Sequence, residues 1–170
     1  KLHVFADILP EDSSNKSVEN VPADVQAIGV TDCVVGTWGA IALLRDKTVR
    51  VWGPQFDETP GTTFKKERWS KSATEELTNV VSIGLTQAYA AAVTSDGVLK
   101  AWNESPEIET PQIKAAQGQF KKALSSSGLQ SLIWKGENRI LVISPSGNTS
   151  ETNLNYSVRD FTFSDTYTLF

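Results

Sequence analysis

A short phrase returns four times along this chain: VQAIGVT from Val25, VVSIGLT from Val80, FKKALSS from Phe120 and VRDFTFS from Val158. In each, an apolar residue is followed three positions later by Ile28, Ile83, Ala123 or Phe161, and then by a small hydroxyl residue, Thr31, Thr86, Ser126 or Ser164. A second phrase trails the first: KTVRVWG (Lys47–Gly53), GVLKAWN (Gly97–Asn103) and NRILVIS (Asn138–Ser144), with KLHVFA (Lys1–Ala6) matching them at the start. Repetition at roughly 40 to 50 residues marks a modular array in which each unit buries its apolar face against the next. A single repeat domain is expected, with units at approximately 1–46, 47–96, 97–137 and 138–170.

The second phrase alternates. Val49 and Val51 oppose Arg50, Leu99 and Ala101 oppose Lys100, and Leu2 and Val4 oppose His3. Successive side chains leave a strand on opposite sides, so this alternation predicts strands with one buried face. A second apolar segment precedes each, at Ala40–Leu44, Ala90–Val93 and Leu132–Trp134. The joints are Arg45-Asp46-Lys47, Ser95-Asp96-Gly97 and Lys135–Asn138, of which Asp-Gly and Gly-Glu-Asn accept the positive φ angles of tight turns, so each unit should hold a β-hairpin. Between hairpins, the stretches Pro10–Asn20, Gly53–Glu76, Glu104–Gln119 and Ser144–Asn155 read as irregular and polar. Only Ser72–Leu77 has the propensity for a helical turn. The expected fold class is all-β.

Apolar content of 39% and charged content of 21% over 170 residues fit one substantial core. A net charge of −4 gives no support to nucleic-acid binding, which needs clustered Lys and Arg. No apolar run approaches the roughly 20 residues of a membrane-spanning helix. The chain starts at Lys1 and contains no Met, which reads as a processed product or an excised piece. One cysteine, Cys33, forbids an internal disulfide and favours a cytoplasmic or nuclear setting. Four Asn-x-Ser/Thr acceptor patterns, at Asn15, Asn103, Asn148 and Asn155, point instead toward a secretory route.

The segment VVSIGLTQAYAAAVTSDGVLKAWN (Val80–Asn103) resembles the repeat of the regulator of chromosome condensation family. Val80, Ile83, Ala92, Val93, Asp96, Gly97, Leu99 and Trp102 occupy that repeat's matching positions, and IALLRD with VRVWG (Ile41–Asp46, Val49–Gly53) match its tail. The likeness is clear in the second unit, fair in the first and degenerate in the last two. It implies a β-propeller of four-stranded blades. The departures are Thr86 at the family's Gly, and Tyr89, Leu129 or Tyr167 at its His. By this alignment the chain begins and ends within one hairpin, so Leu2–Phe5 could complete the blade containing Phe161–Phe170. A closed four-bladed ring, part of a larger ring, and self-association that completes one are the three arrangements open.

No catalytic constellation or cofactor motif emerges, so an enzyme is not expected, and neither is a bound metal. His3 is the sole histidine and has no companions for a triad or metal site. Cys33 beside Val34 and Val35 reads as a small buried hydrophobe. Glu104, Glu107 and Glu109 lack the dense oxygen ligands of a calcium loop. The loop FKKERWSK (Phe64–Lys71) stands apart: an aromatic flanked by Arg and Lys in a long insertion has the composition of a binding hot spot. The candidate partner-binding residues are Phe64, Lys66, Arg68, Trp69 and Trp38. The expected role is a non-catalytic protein-interaction scaffold. The alternatives are a structural segment that pairs through open edge strands and, by the resemblance, a regulator of a small GTPase.

Overall fold

The computed structural model describes residues 21–36, 39–52, 77–86, 90–102, 110–124, 131–136, 138–144, 146, 148–155, 162–163 and 168–169. They form antiparallel sheets with little helix, as the alternation predicts. Helix α1 (Ala23–Ile28) leads into the first sheet, β1 (Val30–Gly36), β2 (Gly39–Leu44) and β3 (Val49–Trp52). The second sheet is β4 (Val80–Leu85), β5 (Ala90–Thr94) and β6 (Leu99–Trp102). Helix α2 (Pro111–Ala116) precedes the third, β7 (Lys122–Leu124), β8 (Ser131–Gly136), β9 (Arg139–Ile143) and β10 (Thr149–Asn153). A hairpin of β11 (Thr162–Phe163) and β12 (Thr168–Leu169) follows. In every sheet the strands pair in chain order.

The first two sheets repeat at an offset of 50 residues. Val30 pairs with Leu44 and Val80 with Thr94; each pairing is followed by a bulge, then Cys33 opposes Ala42 as Ile83 opposes Ala92. Both hairpins close with the same bonds: Leu44 N–H to Thr48 O and Lys47 N–H to Leu44 O, matched by Thr94 N–H to Val98 O and Gly97 N–H to Thr94 O. Lys47 and Gly97 hold the same left-handed backbone, φ 64° and 80°, at the third turn residue. The third sheet follows suit, since Ala123 opposes Ile133 and Ile133 opposes Leu141, as Ile83, Ala92 and Lys100 do.

The register corrects the sequence alignment in one place. Val30, not Val25, is the counterpart of Val80, and Cys33, not Ile28, the counterpart of Ile83. The segment around Val25 forms α1 instead, whose apolar spacing mimics the strand phrase five residues early. Two further stretches read as irregular hold elements. Six-residue α2 is too short for its periodicity to stand out, yet Thr110 Oγ1 accepts from Ile113 N at 3.2 Å, Pro111 opens the first turn, and Ile113 and Ala116 are buried. Strand β10 is polar and mostly exposed, and carries no apolar alternation to betray it. It is held by pairing with β9, by Leu154 N–H to Asn138 O at 2.6 Å, and by Arg139 facing Glu151 at 3.9 Å. The expected turn at Ser72–Leu77 lies outside the described residues except for Leu77, which is buried.

The sheets stack face to face. One cluster joins Ile41, Leu43, Val49 and Val51 of the first sheet to Ile83, Leu85, Ala90 and Ala92 of the second. Another joins Ala91, Val93, Leu99 and Ala101 of the second to Ala123, Leu141 and Ile143 of the third, with Ile113, Ala116 and Phe120 filling in. The central strands β2 and β5 are therefore buried on both faces, which is why they read as unbroken apolar runs. The remaining face of the first sheet carries Ala40, Ala42, Leu44 and Trp52 under Val25, with Val21 and Ile28 alongside.

Neighbouring sheets are also tied through polar groups. Lys47 O accepts from Val80 N, and Gly97 O accepts from both Gly118 N and Phe120 N, so each β-turn carries the entry of the next sheet. Buried Ser82, at the β4 bulge, spans to the edge of β7: its hydroxyl accepts from Ala123 N at 3.1 Å and donates to Ala123 O at 3.2 Å. Strand β4 packs against both β1 and β7, so the first strands of successive sheets lie side by side.

Candidate interaction surface

Each sheet has two ends, and they differ. At one end lie the tight turns after β2 and β5. Asp46 accepts from Thr48 N at 3.0 Å and Thr48 Oγ1 at 2.6 Å, while Thr94 Oγ1 donates to Asp96 and accepts from Val98 N. The two Thr48 hydrogen bonds hold the Asp46 carboxyl below the usual carboxylate range. The Asp46, Thr48 and Thr94 side chains thus bond within their own turns.

The other end is where β1 hands over to β2 and where β3 exits. Gly36 pairs with Gly39, and Ala40 pairs with Trp52, so the link at 37–38 and the segment beginning at residue 53 attach side by side. In the second sheet, Leu85 pairs with Ala90 and Ala90 with Trp102, which places the corresponding attachment points at the same end. Trp38 lies between Gly36 and Gly39, and Phe64, Lys66, Arg68 and Trp69 lie within 53–76. All five fall outside the described residues, so only their anchorage is fixed. That segment begins at buried Trp52 and returns at buried Leu77, in the cluster between first and second sheets.

Its length is informative. Trp52 and Trp102 are equivalent, as are Val80 and Phe120, yet 28 residues separate the first pair of landmarks and 18 the second. Ten residues are therefore surplus to joining one sheet to the next. The shorter link shows what suffices: Ile113 and Ala116 of α2 share a buried cluster with Leu99 and Ala101 of β6, and the Gln117 side chain donates to Leu99 O at 3.0 Å and accepts from Leu99 N at 2.8 Å. The Gln117 amide thus caps the edge of β6 as another strand would.

On the face of the first sheet that α1 covers, Asp24 of α1 meets Arg50 Nε at 2.6 Å. Burial pulls the Asp24 carboxyl upward, but the Arg50 bond and charge, with the Val25 N–H, outweigh it and leave the group below its ordinary range. Cys33 is half-buried on this face, and burial together with Asp32 pushes its thiol up to about 11. It is a thiol, not a thiolate, at neutral pH. Val35 is 48% exposed, whereas its equivalent in the second sheet, Leu85, is 4% exposed. The alignment that set Val25 against Val80 concealed this contrast; the 50-residue offset exposes it.

Among the described residues, no group of three or more His, Cys, Asp or Glu side chains could hold a metal ion. Among them too, no helix is long and apolar enough to cross a membrane. His3, Glu104, Glu107 and Glu109 lie outside the described residues. No protein-family model matches the chain, and neither does any curated protein.

Proposed function

We propose that this chain is a non-catalytic interaction module, a β-propeller segment of the regulator of chromosome condensation type that grips another protein through its loops. The observation that carries the reading is the ten-residue surplus between Trp52 and Val80. Connections in compact domains are short, and an excess that joins nothing is usually retained for function. The surplus falls in the segment holding Phe64, Lys66, Arg68 and Trp69, whose aromatic and Arg content suits a hot spot. Trp38 attaches at the same end of the first sheet as the start of this segment.

The propeller reading is supported by stacked antiparallel sheets repeating at a common register, and by first strands that lie side by side along the stack. Exchange activity on a small GTPase rests on the sequence resemblance alone. A nucleotide-release assay on a panel of small GTPases decides it, no acceleration removing it.

The test is affinity capture with the tagged chain, with nuclease treatment, comparing wild type with an Arg68→Ala, Trp69→Ala variant. A stoichiometric protein lost from the variant, at unchanged Tm, supports the site. A fall in Tm makes Trp69 a core residue and ends the assignment.

A second reading, a structural segment that pairs with another chain, is favoured by the exposure of Val35 against buried Leu85. Under it, Val35→Asp abolishes association and leaves the Tm of the isolated chain unchanged. A monomeric wild type with no partner on that face refutes it.

A further inference from the structure

The two helices each stand just before a sheet, yet they are covered differently. Ile113 and Ala116 of α2 share one cluster with Leu99 and Ala101 of the second sheet and with Ala123, Leu141 and Ile143 of the third, so α2 is enclosed from both sides. Val25 of α1 shares its cluster with Ala40, Ala42, Leu44 and Trp52, all of the first sheet, with Val21, Ile28, Val30 and Cys33 alongside. Among the described residues, no second sheet stands over α1. Ala23, Asp24 and Ala27 are exposed on its outer side.

The face beneath α1 is of the kind that receives a whole sheet elsewhere in the chain. Ala40 and Ala42 are equivalent to Ala90 and Ala92, and that second pair packs against Ile41, Leu43, Val49 and Val51 of the first sheet. Under α1, a six-residue helix stands where the next joint has a sheet, with Ala40, Ala42, Leu44 and Trp52 buried beneath it. The helix also lies outside the closure of the sheet itself. Gly29 O accepts from Arg45 N at 3.0 Å, as Asn79 O accepts from Ser95 N at 2.8 Å, so the turn is tied at Gly29, after α1 has ended. Val25 and the pair of Asp24 with Arg50 anchor α1, whose N-terminus lacks the side-chain cap that Thr110 gives α2.

Independently of the interaction reading above, we infer that α1 is an end cap, a plug that occupies the stacking face of the first sheet and keeps a second copy of this chain from stacking there. An array of like sheets ends in an apolar face, and it stays discrete where its terminal element turns a polar side outward. Helix α1 does this with Val25 inward and Asp24 outward. A second copy is the occupant that a lifted α1 admits, because the chain is itself built of sheets that stack on faces of this kind.

Sedimentation equilibrium of the purified full chain tests this, with amide exchange followed by NMR reporting the fold of each sample. The wild type should sediment with the mass of one chain. Val25→Asp, which removes the buried anchor, and Asp24→Arg, which sets a like charge against Arg50, should shift to the mass of two chains or more as concentration rises, with β5 and β9 still protected. Ala27→Asp, on the exposed side of α1, should stay at the mass of one chain. If the Val25 and Asp24 variants are folded and remain single chains, the inference falls. It falls equally if the wild type or the Ala27 variant associates as they do. Loss of protection at β5 and β9 in Val25→Asp also overturns it, because α1 would then be part of the core and not a cap upon it.

Discussion

Three residues bear most directly on how the sheets are joined. Ser82 satisfies both backbone groups of Ala123 with one hydroxyl in a buried position. Ser82→Ala leaves that N–H and C=O unpaired, and should cost about 1–3 kcal/mol in denaturant unfolding. Gly97 holds φ 80°, and a Cβ there would meet the carbonyl carbon and oxygen of Gly118 at 2.6 Å. Gly97→Ala should therefore destabilise by several times the effect of an ordinary surface change, since both backbone strain and a backbone clash act together. Its equivalent, Lys47, takes a similar φ with a side chain present, so Lys47→Gly should be neutral or stabilising by up to about 1 kcal/mol. The opposite signs at equivalent positions check the 50-residue superposition, with paired thermal melts as the measurement. Asp24 adds a pH dependence. Its carboxyl is held low in the folded state, so its contribution is complete above the unfolded value near 3.8 and is lost as pH falls through the folded value. Melting temperature should drop below about pH 4 and less steeply in Asp24→Asn, whose neutral-pH cost is about 0.2–1 kcal/mol for an exposed pair.

At the scale of elements, legibility followed burial. The β2–β3 and β5–β6 hairpins were readable because alternating Val49-Arg50-Val51 and Leu99-Lys100-Ala101 follow turns built from Asp46 and from Asp96-Gly97. Helix α1 was not, because Val25 and Ile28 are spaced as helix and strand phrases alike, and tertiary packing on Trp52 decides between them. Strand β10 was hidden for the opposite reason: with solvent around most of its side chains, nothing in Thr149–Asn153 records the backbone bonds that define it. Helix α2 depends on a Thr-Pro start and on Gln117 binding the β6 edge. Gln117→Ala should free that edge, detected as faster amide exchange at Leu99 with little change in the first sheet. The candidate interaction residues were legible only as composition, and their anchorage came from the register of Ala40 with Trp52.

For the whole molecule, the account is of sheets with a common plan joined in sequence, and of one join longer than the plan requires. The all-β class follows from the alternation; the direction of the stack emerges only from which apolar residues meet across sheets. Function is assigned to the surplus and to the end of the sheets from which it departs. The most direct test removes the surplus itself, by deleting Pro60–Trp69 so that the first join has the length of the second. Capture by this variant is compared with capture by the intact chain, each at matched folded concentration. The account predicts an unchanged melting temperature and loss of the captured protein. A variant that unfolds, or one that keeps the partner at full stoichiometry, contradicts it.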